Sequence, residues 1–104
     1  KISPKEIEAV LYELEAVAEA AVVGVEDPID GHAIKAFVVP RAGHALTEQQ
    51  VRYHCRARLE NYMLPKFVTL CTALPKTESG KIRKASLTES RSLSTVTGNP
   101  SGPA

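Results

Sequence analysis

The chain has 104 residues, of which 43% are hydrophobic and 24% charged, with a formal net charge of +1. These values predict one small globular domain or a piece of a larger protein. The sequence has neither an apolar run of about 18 residues nor a signal-peptide pattern, which argues against a membrane span or secretion. Cys55 and Cys71 lack metal-ligand spacing, so we interpret them as reduced core residues of a cytoplasmic protein and predict no metal site.

The first predicted element is a helix from Pro4 to about Val17. Ser3 is a suitable N-cap, Pro4 fits the first helical position, and Glu6 stands where it completes a capping box. Apolar residues recur at helical spacing and define one buried stripe, made of Ile7, Val10, Leu11, Leu14 and Val17. Because the chain does not begin with Met and opens almost directly on this cap, we expect an upstream part of the protein.

Two strands are predicted next. Ala20 to Val25 is small and β-branched with no polar alternation, which favours a central strand. After a turn at Asp30-Gly31, the stretch from Ala33 to Val39 forms a second strand, stopped by Pro40 and paired antiparallel with the first. His32, beside the turn, is interpreted as a surface residue because no carboxylate or nucleophile is near it in sequence.

A second helix is predicted from Thr47 to about Leu59, with Thr47 and Gln50 forming a capping box. Its arginines are interpreted as a solvated surface, with contact to a partner as the alternative. A third strand runs from Phe67 to Cys71, and a last short helix from Lys81 to Leu87. Residues 88–104 are rich in Ser, Thr, Gly, Asn and Pro, so we predict a disordered tail after a domain spanning 1–87. The expected fold class is α+β: a three-stranded sheet covered by two main helices, followed by a basic turn and the short helix.

The segment Pro75–Lys84 has a composition that is typical of neither a buried core nor an ordinary surface loop. Between Lys76 and Lys84 it holds four cationic side chains and one carboxylate. The stretch Thr77-Glu78-Ser79-Gly80 predicts a tight turn that points Lys81 outward, because its small polar side chains bond the local backbone and its glycine can adopt positive φ. Such a tip suits an anionic partner such as phosphate. A Walker A loop is a poor match, because Pro75 and Ile82 replace the required glycine and hydroxyl residue. The basic run is short and lacks aromatic residues, so nucleic-acid binding is not predicted.

The motifs in this order resemble the small C-terminal domain of the AMP-forming acyl-CoA synthetases, a superfamily that includes peptide-synthetase adenylation domains and luciferase. The resemblance covers roughly residues 1–87. It is carried by the stretches Lys1-Ile2-Ser3-Pro4 with Glu6-Ile7-Glu8, Val23-Gly24-Val25, Gly31 with Lys35 to Val39, Tyr62 with Leu64-Pro65, and Leu74 to Lys84.

The resemblance implies that Lys81 is the catalytic lysine of the adenylation half-reaction, with Ser79 and Gly80 as its supporting turn. It further implies ATP, Mg²⁺ and coenzyme A as reactants of the full-length enzyme, none of them bound to this piece alone. The chain's own N-terminal large domain becomes the expected partner, and the isolated chain is expected to be inactive. The resemblance does not identify the carboxylic acid.

Two other functions stay open at this point. The chain could be the C-terminal part of a peptide-synthetase-type adenylation domain that acts on a carrier-protein thiol, or a docking module. His32 occupies a position that is often Glu or Gln in the family, and the sequence assigns no role to it.

Overall fold

A computed structural model describes residues 3–88 of the chain. The elements follow the predicted order, and their bounds are α1 Pro4–Tyr12, β1 Val17–Asp27, β2 Gly31–Pro40, α2 Glu48–Arg58, a 3₁₀ turn Asn61–Met63, β3 Phe67–Leu70 and α3 Lys84–Leu87. The predicted α+β class is confirmed. Within this range, no helix combines the length and the apolar character needed to cross a bilayer.

The sheet has the strand order β1-β2-β3, with β1 and β2 antiparallel and β2 and β3 parallel. The prediction that the first strand is central was therefore wrong, because β2 lies in the middle. The strand is apolar on both sides for another reason. Both faces of the sheet are covered, so residues that alternate along β1 all meet apolar neighbours.

The open edge of β1 is hydrogen-bonded by side chains of α1. The Val22 N–H donates to Glu8 Oε2 at 2.8 Å, and the Ala20 N–H donates to Tyr12 Oη at 3.0 Å. An unpaired strand edge exposes backbone donors and acceptors that invite pairing with another chain. Glu8 and Tyr12 satisfy part of that edge from within the domain.

Two apolar clusters hold the sheet from opposite faces. On one face, α1 and α2 pack against residues such as Val22, Ala36 and Val38. On the other face, Phe37 and Val23 pack against Leu74 and Leu87, which belong to the C-terminal segment. Full burial of an apolar side chain the size of Phe37 contributes roughly 1.5–3 kcal/mol, so the segment after β3 is anchored by its own core contacts.

The first helix ends at Tyr12, not near Val17 as predicted. Arg41, which directly follows β2, donates from its backbone to the carbonyl oxygen of Ala16 at 2.7 Å and from its guanidinium to those of Glu15 and Val17. These bonds hold residues 15–17 beside the end of β2, where Val17 pairs with Pro40 as the start of β1. Val17 is still buried, as the apolar pattern indicated.

The second helix matches its prediction closely, with a complete capping box between Thr47 and Gln50. The last helix is shorter than predicted and begins at Lys84, because Ile82 pairs with Lys76 in a β-bridge before the helix starts. In the predicted tail, Thr88 caps α3, and the remaining residues, 89–104, lie outside the described part of the chain.

Candidate functional site

The basic segment forms a short hairpin, which we call the Lys81 hairpin and define as Pro75–Lys84. Its two arms are joined by backbone hydrogen bonds from Thr77 N–H to the Lys81 carbonyl at 2.7 Å and from Arg83 N–H to the Pro75 carbonyl at 2.8 Å. Gly80 has φ +90°, a conformation that side-chain-bearing residues rarely adopt. The glycine therefore permits the reversal that places Lys81 directly after the turn.

Thr77 organises the tip of the hairpin more than any other side chain in it. Its hydroxyl oxygen accepts the Lys81 N–H at 3.2 Å and lies 3.0 Å from the Ser79 hydroxyl. Its carbonyl accepts the Gly80 N–H at 2.9 Å. Thr77, Ser79 and Gly80 thus lie in the turn as expected, and the Thr77 hydroxyl bonds the local backbone at Lys81.

Two of the four cations of the hairpin are neutralised by carboxylates from the domain body. Lys76 Nζ lies 2.8 Å from Glu19 Oε2 on β1, and Lys84 Nζ lies 2.6 Å from Glu8 Oε2 on α1. The local excess of positive charge counted from the sequence is therefore reduced, and the cations that remain are Lys81 and Arg83.

Lys81 is exposed, and within residues 3–88 its side chain has no ion pair or hydrogen bond. The backbone next to Lys81 is held in place, because Ile82 is half-buried against the apolar cluster that contains Leu74 and Leu87. A long flexible side chain on a fixed backbone presents one compact positive charge to a ligand outside the domain.

A second polar cluster, at the turn between β1 and β2, contrasts with the hairpin. Asp27 is buried and accepts the N–H groups of Ile29 and Asp30, while Lys66 Nζ contacts Asp27 at 2.7 Å and Asp30 at 3.0 Å. The hydrogen bond from Lys66 lowers the pKa of the Asp27 carboxyl, and the same bond raises the pKa of Lys66. All three side chains stabilise the turn.

The other residues singled out by the sequence are distributed over the structure. Cys55 and Cys71 are free and buried, as predicted. Burial raises the pKa of Cys55, and it raises that of Cys71 to about 11, so neither thiol is ionised near neutral pH. His32 is exposed and lines a groove of about 360 Å³ together with Tyr62.

The basic residues of α2 are less free than the sequence suggested. Arg52 donates to the carbonyl oxygens of Pro65 and Lys66, and Arg58 pairs with Glu13. His54 Nε2 lies 2.9 Å from the Val10 carbonyl oxygen at the end of α1. These contacts join α2 to its neighbours, which favours a structural role for Arg52, His54 and Arg58 over contact with a partner.

Glu8 and Glu19 were not recognised from the sequence as part of this site. The sequence indicates Glu8 only as part of the stretch Glu6-Ile7-Glu8 that carries the family resemblance, and Glu19 lies between a predicted helix and a predicted strand. Glu19 and Lys76 are more than 50 positions apart in the sequence. No local sequence pattern indicates a contact over such a separation. Across residues 3–88, no group of three or more His, Cys, Asp or Glu is arranged to hold a metal ion.

Fold and site together define a small α+β domain that presents one lysine on a braced hairpin. The model of the AMP-binding enzyme C-terminal domain family matches residues 6–81, about three quarters of the chain, and its match ends on Lys81. The chain belongs to this family.

Curated relatives are CoA ligases. The long-chain-fatty-acid–CoA ligase of Bacillus subtilis is 41% identical over 88 residues, covering 85% of this chain and 16% of the relative. The oxalate–CoA ligase of Arabidopsis thaliana is 39% identical over 84 residues, covering 81% of this chain and 16% of the relative. The chain therefore spans less than a fifth of the length of these relatives.

Solved structures agree with the sequence relatives. The fatty acyl CoA synthetase of Mycobacterium tuberculosis superposes with a TM-score of 0.79 at 38% identity, over 88% of this chain and 18% of that chain. The similarity thus extends over nearly all of the present sequence and one small portion of the larger protein.

Proposed function

We propose that this chain is the mobile C-terminal domain of an ATP-dependent, AMP-forming acyl-CoA ligase, and that Lys81 is its adenylation lysine. The domain is proposed to span residues 1–87. It acts as part of a longer enzyme whose large domain supplies the nucleotide and acid sites.

One observation carries the assignment to Lys81. Of the three lysines in the Lys81 hairpin, Lys76 and Lys84 are each bound to a carboxylate within the domain, whereas Lys81 has no partner among residues 3–88 and stands at the exposed end of the turn. An ammonium held in this way is available to anions that another domain provides.

In the proposed first half-reaction, a carboxylate oxygen of the acid attacks the α-phosphorus of ATP. The bond from that phosphorus to the bridging oxygen of the β-phosphate breaks, which gives an acyl-adenylate and pyrophosphate. Two anions must approach and negative charge spreads over the phosphate oxygens, so one ammonium that contacts both reactants lowers the barrier by positioning and electrostatic stabilisation.

In the second half-reaction, the sulfur of coenzyme A attacks the carbonyl carbon of the acyl-adenylate, its thiol proton is lost, and AMP leaves. We propose that the domain rotates between the two steps as a rigid body and withdraws Lys81. The two-sided core and the bonded hairpin support this view, since they fix the base of Lys81 relative to the sheet.

ATP and coenzyme A are proposed as substrates of the full-length enzyme, and Mg²⁺ as the ion bound to the phosphates of ATP. Coenzyme A is preferred over a carrier-protein thiol because the relatives are named as CoA ligases. A cytoplasmic location is proposed on the basis of the two free cysteines, which suit a reducing compartment.

The acid is not specified by this domain. The ligases for oxalate and for long-chain fatty acids resemble the chain to nearly the same degree, at 39% and 41% identity. These two acids differ greatly in size and polarity, so the residues that distinguish them are proposed to lie in the large domain.

The test is to assay the two half-reactions separately on the full-length enzyme with Lys81→Ala. Adenylation, followed by ATP–pyrophosphate exchange, is expected to fall by about 100- to 1000-fold, the scale for losing one preorganised charge-stabilising group. Thioester formation from a supplied acyl-adenylate is expected to be nearly unchanged. The isolated 104-residue chain serves as a negative control and is expected to catalyse no exchange.

The matched control is Arg83→Ala, which removes the other hairpin cation whose side chain makes no ion pair within residues 3–88. A docking module would lose function in proportion to its basic charge, so Arg83→Ala and Lys81→Ala would then weaken both half-reactions together. Normal adenylation by the Lys81→Ala enzyme would refute the catalytic assignment.

A further inference from the structure

We propose that Glu8 and Lys84 are positioning residues for Lys81, forming a brace that fixes the catalytic hairpin to the edge of the sheet. This inference rests on the proposed adenylation function. It predicts that two residues outside the hairpin tip control the first half-reaction without contacting its reactants.

Glu8 is suited to this role because one carboxylate oxygen makes two contacts at once. Glu8 Oε2 accepts the Val22 N–H at 2.8 Å and contacts Lys84 Nζ at 2.6 Å. The first contact fixes the carboxylate to β1, so its position does not depend on the lysine. The side chain of Glu8 is only 17% exposed, which limits the screening of the pair by water.

Lys84 connects that fixed point to the hairpin. It is the first residue of α3 and follows Lys81 by three positions, so its anchor acts three residues from the proposed adenylation lysine. Leu87, at the end of the same helix, is fully buried. The C-terminal arm of the hairpin is thus held by an apolar contact on one side and by the Glu8 carboxylate on the other.

The N-terminal arm has an equivalent contact from Glu19, a residue of β1. Lys76 Nζ lies 2.8 Å from Glu19 Oε2, and Lys76 pairs with Ile82 across the hairpin. Glu19 and Glu8 therefore hold opposite arms of the hairpin. The Glu19 side chain is 33% exposed, so this second contact is expected to contribute less than the first.

Restriction of both arms matters because the ammonium must reach a defined point between two anions. Misplacement of a reacting or stabilising group by about 1 Å can cost about 100-fold in rate. A hairpin held at only one arm retains its lysine but samples more positions. Loss of the brace is therefore expected to lower the rate of adenylation and to leave the fold intact.

The experiment uses Glu8→Gln, Lys84→Met and the double variant in the full-length enzyme. Glu8→Gln keeps an oxygen that can accept the Val22 N–H and removes only the charge that holds Lys84. Each single variant is expected to reduce kcat for adenylation by about 10-fold, with thioester formation unchanged. The double variant is expected to resemble the single variants, because both remove the same contact.

Glu48→Gln is the matched control, since it removes the carboxylate of an ion pair with Arg52 on the distant helix α2. It is expected to leave both half-reactions within twofold of the wild-type values. Hydrogen exchange of residues 75–87 provides a second readout, and faster exchange in Glu8→Gln than in Glu48→Gln is expected.

The inference is overturned if Glu8→Gln and Lys84→Met adenylate within twofold of wild type, or if both half-reactions fall equally. Should one variant fold poorly, the other decides, because Lys84→Met leaves the Glu8–Val22 bond in place. Lys81→Ala is assayed alongside. If it adenylates normally, the proposed function fails; if it is slow while the brace variants are normal, only the brace fails.

Discussion

The Lys81 hairpin and the turn around Asp27 both contain lysines beside acidic residues, yet their lysines are used in opposite ways. Lys66 contacts the carboxylates of Asp27 and Asp30 at 2.7 and 3.0 Å, so its charge is paired within the domain. At the hairpin, the acidic partners bind Lys76 and Lys84, which flank the tip, and Lys81 itself makes no such contact among residues 3–88. The first arrangement stabilises a turn, and the second leaves the lysine that follows the turn glycine unbound among the described residues.

This difference shows that a basic cluster can contain lysines that are bound within the fold beside a lysine that is not bound among residues 3–88. Sequence composition counts all four cations of the hairpin equally. The contacts separate them, because a lysine already bound to a carboxylate contributes little net field to an external anion. Bound and unbound lysines are therefore expected to respond differently to substitution or modification.

The largest expected effect follows from neutralising Lys81 without shortening it. Acetylation of Lys81 in the full-length enzyme removes the positive charge, and adenylation is expected to fall by about 100- to 1000-fold. Acetylation of Lys66 at full occupancy should instead lower stability with little effect on adenylation. Site-specific incorporation of acetyl-lysine at each position, followed by the exchange assay and thermal unfolding, measures both. Normal exchange by the Lys81-acetylated enzyme would equate the two lysines and contradict the comparison.

An intermediate effect is expected from the backbone of the turn. Gly80→Ala places a Cβ on a residue with φ +90°, in open space, so the cost comes from backbone strain alone. We expect a loss of about 1–2 kcal/mol in the free energy of unfolding, measured by denaturant titration of the 104-residue chain. Gly24→Ala is the control, since that position is also open and no positive φ is involved. Equal responses at the two glycines would show that the turn geometry is not required.

The smallest expected effect is a change in how the stability of the domain depends on pH, and it arises at the Asp27 turn. The pKa of Asp27 is held below its ordinary value of 3.8 by Lys66. Its ionised form therefore adds stability that is fully present above pH 3.8 and is lost as the pH falls through the lower folded-state pKa. Asp27→Asn is expected to remove this contribution, so that the wild-type and variant stabilities converge in acid. Thermal unfolding between pH 2 and pH 7 measures the convergence, and parallel curves would contradict it.

Much of the fold was predicted because its signals are local. Capping residues located the starts of both main helices, and apolar, β-branched runs bounded by turn residues or proline located the three strands. The predicted C-terminal end of α1 was wrong because Leu14 and Val17 continue the helical spacing. In the structure, Arg41 binds the carbonyl oxygens of residues 15–17 from 24 or more positions away in the sequence. No pattern within a short window contains that contact.

By itself the sequence determined the α+β class and the turn at Gly80, since caps and glycine conformation depend on residues close together in the chain. The order of its motifs led to the proposal for Lys81. Only the tertiary structure decided that β2 is central, that Glu8 satisfies the edge of β1, and that Lys76 and Lys84 are neutralised. Those properties depend on which side chains meet after the sheet and helices pack. Burial and hydrogen bonding across long sequence separations fix such meetings, and local propensity does not encode them.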